Sequence, residues 1–228
     1  MSTNKSYKNI EFIFDISKEI DQAFKVVIIG DCKVGKTTLI QSIMGNDFDE
    51  EYKSTIGIDF FSFFIKINNK ILHLKIWDMS GDAKFNSLAD QFLLNSSLVI
   101  VIYDITNIES FQHLDSWLQE IKDNSPSSEV ILVGNKTDLQ NERQVQIEDV
   151  KNKYKSSQLI KFMECSAKTK DNIEEIFLEA ANILYKKIID KKNLRNTQIG
   201  EGITTNIIDN SKEKMFIKRG KNSFCNCW

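Results

Sequence analysis

The chain has 228 residues, a formal net charge of −2 at pH 7 and four cysteines. Its length suits one domain with tails, and its near-neutral charge creates no basic field that would attract nucleic acid. The cysteine pattern is unlike a secreted disulfide framework and favours a reducing compartment. The N-terminal residues are polar, so we expect no signal peptide, and the longest apolar run, 98–103, is too short to cross a bilayer.

Residues 1–22 form an N-terminal extension ahead of the first predicted strand, at 24–29. Most of this extension is polar. Apolar side chains recur within it at a period of two, on one face of an extended chain; they are Ile10, Phe12, Phe14 and Ile16. This pattern is typical of a short strand or of a docking segment, and both interpretations stay open.

A glycine-rich loop follows the first strand and precedes a helix predicted over 38–44. Residues 30–37 read G-x-x-x-x-G-K-T, the pattern of a phosphate-binding loop, in the strand–loop–helix context that it requires. Glycines let backbone N–H groups surround phosphate oxygens, and the helix N-terminus adds partial positive charge. We expect Lys36 to reach the outer phosphates and the Thr37 hydroxyl to ligate Mg²⁺.

Strands and helices then alternate along the chain. Strands at 59–67 and 70–77 flank Asn68-Asn69 and predict a β-hairpin with a two-residue turn. Further strands are predicted at 97–103, 130–133 and 159–163, and helices at 111–122, 146–155 and 172–187. The alternation predicts an α/β domain: a mostly parallel six-stranded sheet with one antiparallel edge strand and helices on both faces. Ligand loops are expected at the carboxyl ends of the strands.

The second strand of the hairpin ends in a D-x-x-G motif formed by Asp78 and Gly81. A carboxylate at this strand end can hold Mg²⁺ through water, as strand-end acids do in phosphate-loop proteins. The N–H of Gly81 is then in a position to sense a terminal phosphate. The motif is weak alone, but its place after a phosphate-binding loop and an apolar strand makes it specific.

The strand at 130–133 leads to a third motif, N-K-T-D at 135–138. The Asp138 carboxylate can accept two hydrogen bonds, from the N1–H and the exocyclic amine of guanine. Adenine does not offer that pair of donors and would leave the buried carboxylate unpaired at a cost in free energy. Residues 164–168, after the last strand, would supply backbone donors near the guanine carbonyl. The three loops together predict a guanine nucleotide with Mg²⁺.

Over residues 24–187 the chain resembles the Rab family of small GTPases, within the Ras superfamily. The motifs that carry the resemblance are S-T-I-G-I-D-F at 54–60, K-I-W-D at 75–78, Y-D-I-T-N at 103–107 with E-S-F at 109–111, N-K-T-D at 135–138 and E-C-S-A-K at 164–168. The resemblance implies a P-loop small-GTPase fold over 23–189 and a GTP/GDP switch in membrane trafficking. It also implies a monomeric G domain whose partners are an exchange factor, a GTPase-activating protein and effectors.

The resemblance also implies roles for individual side chains. Thr55 would close over the metal and terminal phosphate, Phe48 would lie edge-on against guanine, and Tyr52 would cover the phosphates. Segments 46–58 and 81–95 would be the two switches. The residues expected to bind nucleotide are Asp31, Cys32, Lys33, Val34, Gly35, Lys36, Thr37, Thr38, Phe48, Tyr52, Thr55, Gly81, Asn135, Lys136, Asp138, Ser166, Ala167 and Lys168. Those expected to hold the metal are Thr37, Thr55 and Asp78.

Three aromatic side chains, Phe60, Trp77 and Phe92, would form an exposed surface that reports the switch state to effectors. Simple core packing is the alternative for Phe60 and Trp77. The family's Y-Y-R-G-A reads F-L-L-N-S at 92–96 in this chain. We therefore expect a partner surface that differs from that of a typical Rab protein.

The second switch also departs from the family pattern where the attacking water is oriented. The family carries W-D-T-A-G-Q-E, whereas this chain carries W-D-M-S-G-D-A, so Asp82 replaces the glutamine. Asp82 is one methylene shorter and negatively charged, near a phosphate that is already anionic. We therefore expect slow intrinsic GTP hydrolysis, with Asp82, Lys36 and Thr55 as the catalytic residues.

Two other functions compete with that of a slow enzyme. In the first, the protein holds GTP almost permanently and serves as a membrane scaffold, and Asp82 is the residue that separates the two alternatives. In the second, the chain is an adenine-nucleotide kinase or ATPase, which shares only the phosphate-binding loop. Asn135, Lys136 and Asp138 argue against an adenine nucleotide.

The C-terminal tail, 190–228, lacks apolar periodicity and is expected to be flexible. It carries eight basic and four acidic residues, a net charge of +4. The Rab resemblance implies prenylation of paired cysteines, here Cys225 and Cys227. The last four residues also form a poor C-a-a-X box starting at Cys225, and unmodified thiols are the third alternative. Prenyl chains with a basic tail would anchor the protein to the cytoplasmic face of an intracellular membrane, in exchange with the cytosol.

Overall fold

The fold is that of a computed structural model, which describes residues 10–13, 19–49, 51, 54–82, 86–155 and 160–200. The described residues contain seven strands: β1 (Ile10–Ile13), β2 (Gln22–Ile29), β3 (Ile58–Ile67), β4 (Lys70–Met79), β5 (Leu98–Asp104), β6 (Glu129–Asn135) and β7 (Ile160–Glu164). They also contain six α-helices: α1 (Lys36–Ile43), α2 (Asn86–Leu93), α3 (Ile108–Gln112), α4 (Leu114–Asn124), α5 (Ile147–Lys153) and α6 (Ile173–Gly200). A short 3-10 helix spans Thr137–Glu142.

The seven strands form one sheet in the order β1-β3-β4-β2-β5-β6-β7. β3 runs antiparallel to both of its neighbours, and the other neighbouring pairs are parallel. The predicted mostly parallel α/β sheet, with one antiparallel strand, is confirmed. The structure adds a seventh strand, β1, so that β3 is no longer the edge strand of the sheet. The predicted hairpin turn is present, and Asn68 adopts the left-handed φ of 53° that this turn requires.

β1 is the part of the N-terminal extension that joins the sheet. Ile10 lies opposite Ile67 of β3, and the side chain of Phe12 packs against Phe63 with ring centroids 6.5 Å apart. The strand interpretation therefore applies to 10–13, whereas Phe14 and Ile16 lie outside the described residues. Apolar packing, rather than pairing alone, holds this strand, since Ile10 and Phe12 contact the core beneath β3.

Two hydrophobic clusters cover the two faces of the sheet. One lies between the sheet and helices α1 and α6, and it includes Leu39, Ile40 and Phe177. The other lies between the sheet and helices α2, α4 and α5, and it includes Leu93 and Trp117. The continuous burial of β5 on both faces explains why its sequence is an unbroken apolar run.

Three helices differ from the predicted elements. The helix predicted over 111–122 is two helices, α3 and α4, which meet at His113; Asn107 caps α3 by accepting from the N–H of Glu109 at 2.9 Å. α2 lies in the second predicted switch and was not predicted as a helix. α6 continues to Gly200 because no glycine or proline interrupts it, although apolar periodicity is lost from about 190. Residues 190–200 of the tail expected to be flexible are therefore helical. The chain divides into two compact units, 1–190 and 191–228, and the second is described only over 191–200.

Candidate nucleotide-binding site

The phosphate-binding loop connects the end of β2 to the start of α1. Gly35 precedes α1 with a φ of 97°, in the left-handed region. A Cβ atom at this position would lie 2.3 Å from the side-chain nitrogen of Asn135, so both the backbone and the packing require glycine. The carbonyl oxygen of Gly35 accepts a hydrogen bond from the N–H of Leu39 at 2.9 Å, which begins the helix. The N-terminal amides of α1 therefore open toward the loop.

Lys36, the first residue of α1, lies beneath this loop. Its Nζ donates to the carbonyl oxygens of Gly30 at 2.8 Å and Asp31 at 2.7 Å, and the side chain is buried. Burial lowers the pKa of Lys36 to about 8, and the nearby Asp78 carboxylate acts in the opposite direction. The ammonium group is thus held along the inner side of the loop, where phosphate oxygens bind in proteins with this motif.

Oxygen atoms from three segments converge beside Lys36. Thr37 Oγ1 lies 2.7 Å from Thr55 Oγ1 and donates to Asp78 Oδ2 at 2.5 Å. Asp78 is fully buried, and its second oxygen, Oδ1, has no hydrogen-bond partner. Burial raises the pKa of Asp78 to about 6, while the hydrogen bond from Thr37 opposes that rise.

This oxygen cluster fits a Mg²⁺ ion. Hydroxyl and carboxylate oxygens are the hard ligands that Mg²⁺ prefers, and the unpaired Oδ1 of Asp78 is a buried acceptor that a cation would satisfy. No group of three or more His, Cys, Asp or Glu side chains gathers to hold a metal within the described parts of the chain. A site with one carboxylate agrees with Mg²⁺, which keeps water and phosphate oxygens as its other ligands.

The chain after Asp78 brings Gly81 against the phosphate-binding loop. A Cβ atom on Gly81 would lie 2.4 Å from both the carbonyl carbon of Asp31 and the nitrogen of Cys32, so a larger residue would push the two segments apart. Asp82 follows, half-buried, and its N–H donates to Ser80 Oγ at 3.3 Å. Gly81 therefore lies directly against the phosphate-binding loop, and contact of its N–H with a terminal phosphate stays a prediction.

Asn135, at the end of β6, connects three loops. Its side-chain nitrogen donates to the carbonyl oxygen of Val34 at 2.8 Å, and its oxygen accepts from the N–H of Ala167 at 3.0 Å. The hydroxyl of Ser166 donates to Asp138 Oδ1 at 2.6 Å. The loops after β6 and β7 are thus fixed to each other and to the phosphate-binding loop.

Two lysines of these loops have nearby partners. Lys136 Nζ lies 2.6 Å from Asp104 Oδ2, and Asp104 is buried at the end of β5. Lys168 Nζ lies 5.4 Å from the ring centroid of Phe48, which is 40% exposed. Both side chains line the pocket, and the Lys168 ammonium faces the Phe48 ring.

A partly buried ion pair that the sequence did not predict also joins the loop after β6 to the end of β7. Arg143 donates to both carboxylate oxygens of Glu164, at 2.7 and 3.0 Å, and its side chain is 8% exposed. Arg143 follows the 3-10 helix that begins just after Lys136, and Glu164 is the last residue of β7. Nothing in the spacing of the two residues indicates this pairing, because it depends on how the loops fold together.

A pocket of about 510 Å³ lies among these segments. Fourteen of the residues predicted to bind nucleotide line it; they are Cys32, Lys33, Gly35, Lys36, Thr37, Thr38, Phe48, Thr55, Gly81, Asn135, Lys136, Asp138, Ala167 and Lys168. Asp31, Val34 and Ser166 do not line it, and neither does Asp82. Val34 and Ser166 are buried and support the pocket from behind.

The pocket also has lining residues that the sequence analysis missed; they are Gln41, Asp49, Glu51, Ser54, Ser80 and Leu139. Gln41 lies one helical turn after Thr37 and Thr38, so its helical spacing was a usable signal. Leu139 directly follows Asp138. Tyr52, Cys225 and Cys227 lie outside the described residues.

The three aromatic side chains proposed as an effector surface lie next to one another. The ring centroids of Phe60 and Trp77 are 5.1 Å apart, and those of Trp77 and Phe92 are 5.4 Å apart. Phe60 is 50% exposed, so core packing does not account for it. Trp77 and Phe92 are half-buried against the cluster beneath α2 and α4.

A phosphate-binding loop, an oxygen cluster suited to Mg²⁺ and two loops fixed around a base-sized pocket define the class of P-loop nucleotide-binding proteins. A model of the Ras family matches residues 25–186. Ras-related protein YPTC6 of Chlamydomonas reinhardtii is 35% identical over 207 residues, which cover 89% of this chain and 95% of that protein. Ras-related protein RABA4c of Arabidopsis thaliana is 36% identical over 192 residues, covering 84% of this chain and 85% of that protein.

The chain therefore belongs to the Ras family, as a Rab-type small GTPase. The resemblance found in the motifs is confirmed. The predictions of GTP binding and of a role in membrane trafficking are confirmed with it. Proteins of this family hydrolyse GTP and bind guanine nucleotide with Mg²⁺. Among the described helices, none has the length and apolar character needed to cross a membrane.

Proposed function

We propose that this pocket binds GTP and GDP with Mg²⁺ and that the chain cycles between the two states at the cytoplasmic face of an intracellular membrane. One observation carries the proposal. Thr55, in the first predicted switch, reaches the P-loop hydroxyl of Thr37 at 2.7 Å, beside the buried carboxylate of Asp78. A switch residue that meets a P-loop residue at the metal cluster can report on what the cluster holds.

The two ends of the nucleotide would be held by different residues. Lys36 would pair with the outer phosphates, and Thr37, Thr55 and Asp78 would hold the metal. The bound ion would offset the negative charge of the phosphates. At the other end Asp138 would accept two hydrogen bonds from guanine.

Asp82 is the basis for a slow hydrolytic step. The water that attacks the terminal phosphate must be oriented by a hydrogen-bonding side chain. At an effective dielectric of about 20, two unit charges roughly 4 Å apart repel by about 4 kcal/mol. A loss of about 1.4 kcal/mol already slows a reaction tenfold. We infer that intrinsic hydrolysis is slow, and that a GTPase-activating protein which brings its own glutamine and arginine would restore it.

Single-turnover hydrolysis of bound GTP tests this step. Asp82→Gln should raise the rate at least about tenfold, since it removes the negative charge and restores the longer side chain. Asp82→Asn is the matched control, because it removes the charge without restoring the length. Equal rates for the native protein and Asp82→Gln would contradict the proposal.

A second candidate function follows from the same residue. If Asp82 abolishes turnover, the protein remains GTP-bound and acts as a membrane scaffold instead of a switch. Identification of the nucleotide that copurifies with the protein from cells separates the two. GDP indicates turnover in the cell, whereas GTP alone indicates the scaffold.

Membrane attachment would depend on Cys225 and Cys227. Two prenyl chains next to a tail with a net charge of +4 would give stable anchoring, whereas one chain gives only reversible binding. Mass spectrometry of the C-terminal peptide from the native protein distinguishes two, one or no lipid. An unmodified peptide would end the lipid proposal without affecting nucleotide binding.

Effectors would read the aromatic surface formed by Phe60, Trp77 and Phe92. Phe60 meets Trp77 edge to face and Trp77 meets Phe92 at a tilt of 44°, so a shift of α2 would change the whole surface. The chain at 92–96 differs from the family's pattern, so the partner that fits this surface would differ from those of typical Rab proteins. Exchange of Phe60 for alanine should weaken effector binding without changing nucleotide affinity.

A further inference from the structure

The side chain of Asp31 points away from the pocket and is held from behind. Trp117 Nε1 donates to its Oδ1 at 2.9 Å, and His113 Nδ1 donates to its Oδ2 at 2.6 Å. Trp117 is a buried residue of α4, and His113 is the residue at which α3 meets α4. Both carboxylate oxygens of this loop residue are therefore paired with one corner of the fold.

The backbone of the same residue faces the other way. The carbonyl oxygen of Asp31 accepts from Lys36 Nζ at 2.7 Å. The peptide between Asp31 and Cys32 is the one against which Gly81 packs, and Cys32 itself lines the pocket. This peptide therefore lies between the corner on one side and, on the other, the region expected to hold the terminal phosphate.

We infer that Trp117 and His113 are positioning residues for the terminal phosphate, acting through Asp31. They keep a negative carboxylate turned away from the phosphates, and they fix the peptide that Gly81 contacts. A carboxylate released from this corner could rotate toward the pocket, where an anionic phosphate would repel it. The inference rests on the proposed nucleotide binding and names further residues for the same site.

We call the two hydrogen bonds from Trp117 and His113 to Asp31 the Asp31 clamp. Its position predicts which nucleotide it favours. GTP would place a terminal phosphate in this region and GDP would not. Loss of the clamp should therefore weaken the binding of GTP more than the binding of GDP. Loss of a residue that only stabilises the fold would weaken the binding of both nucleotides by the same factor. The ratio of the two affinities therefore separates positioning from general stability.

The test measures the dissociation constants of GDP and of a non-hydrolysable GTP analogue for three variants. Trp117→Phe keeps an aromatic ring at this position and removes the Nε1 donor. His113→Ala removes the other donor, and the His113 side chain is 60% exposed, so its loss leaves no buried cavity. Each should lower the preference for GTP over GDP by about tenfold, the loss expected for one hydrogen bond to a charged group. His113→Asn keeps a donor near the position of Nδ1 and should restore most of the preference.

Arg143→Gln is the matched control, because it loosens the loops after β6 and β7 and not the loop at Asp31. This variant should weaken the binding of GDP and of the GTP analogue by the same factor. If Trp117→Phe and His113→Ala leave the ratio within about twofold of the native value, or change it no more than Arg143→Gln does, the inference is overturned. If the native protein binds neither nucleotide, the proposed function itself fails, which is a different result.

Discussion

The two ends of the pocket are built differently. The guanine end is cross-connected by side-chain contacts between loops: Asn135 contacts two loops, Ser166 contacts Asp138, and Arg143 pairs with Glu164. The phosphate end depends on charged groups that are costly to bury, such as Lys36 with a pKa lowered to about 8. The residue that departs most from the family pattern, Asp82, follows directly on Gly81 at this second end.

We infer from this difference that recognition of the base depends mainly on Asp138, whereas the rate of hydrolysis depends mainly on Asp82. Asp82 does not line the pocket, so we expect a change at Asp82 to leave the contacts at the guanine end in place. A chain of this family can therefore change its hydrolysis rate without losing its ligand. The predictions below test that separation, from the largest expected effect to the smallest.

The largest effect is expected at the base. Asp138→Asn replaces the carboxylate proposed to accept two hydrogen bonds from guanine with one acceptor and one donor, which would remove both charge-assisted hydrogen bonds. The loss is about 4 kcal/mol, or roughly a thousandfold in affinity for GDP. Titration with GDP and ADP measures it, and Asp115→Asn, on α4 and paired with Lys153, is the control. A variant that kept its preference for guanine would refute the role of Asp138.

Metal removal should have the next largest effect and act at the phosphate end. Chelation of Mg²⁺ should raise the release rate of GDP about a hundredfold, because the phosphates lose several kcal/mol of charge compensation. Asp78→Asn should release GDP rapidly with or without chelator, since its metal site is already impaired. Stopped-flow release of fluorescent GDP measures both. An Asp78→Asn protein that stayed fully sensitive to the chelator would place the metal elsewhere.

Loss of the Arg143–Glu164 ion pair should have a smaller effect, at the guanine end. Arg143→Gln leaves the partly buried Glu164 unpaired, which should cost about 1–3 kcal/mol of unfolding free energy and speed GDP release about tenfold. The double variant Arg143→Gln with Glu164→Gln should recover part of the stability, because no charge remains unpaired. Urea unfolding and GDP release are the measurements. Additive losses in the double variant would argue against direct coupling of the pair.

The smallest effect concerns a region remote from both ends and provides their baseline. Phe12→Ala removes a half-buried ring from β1 and should cost about 1–2 kcal/mol of unfolding free energy. The affinity for GDP should not change. A loss of affinity in this variant would mean that the sheet edge and the pocket are coupled, and the separation proposed above would be incomplete.

The features that the sequence predicted well are local ones. The phosphate-binding loop, the hairpin turn at Asn68 and the strand-end motifs are each specified by a few adjacent residues, and each appears where expected. The core stripe of α6 followed from helical periodicity alone, and Phe177 is fully buried. The alternation of apolar runs was enough to predict the sheet and its single antiparallel strand.

The features that it missed depend on contacts between distant segments. The sequence does not distinguish a strand from a docking segment at β1, because the partner strand lies more than fifty residues away. α2 was not predicted because it spans only eight residues, too few for a clear helical period. The Asp31 clamp and the Arg143–Glu164 pair each join residues that no sequence spacing relates. Residue type predicted what these side chains could do, but only the fold determined with which partners.

β1 also bears on self-association. β3 carries four phenylalanines within ten residues, a run rich in residues that favour strands and poor in charge. An uncovered edge of such a strand is a template for pairing with a second molecule. β1 occupies that edge over 64–67, which includes one of the four phenylalanines, whereas β1 does not pair with 58–63. The paired part of the N-terminal extension thus shortens the stretch of this edge that a second molecule could meet.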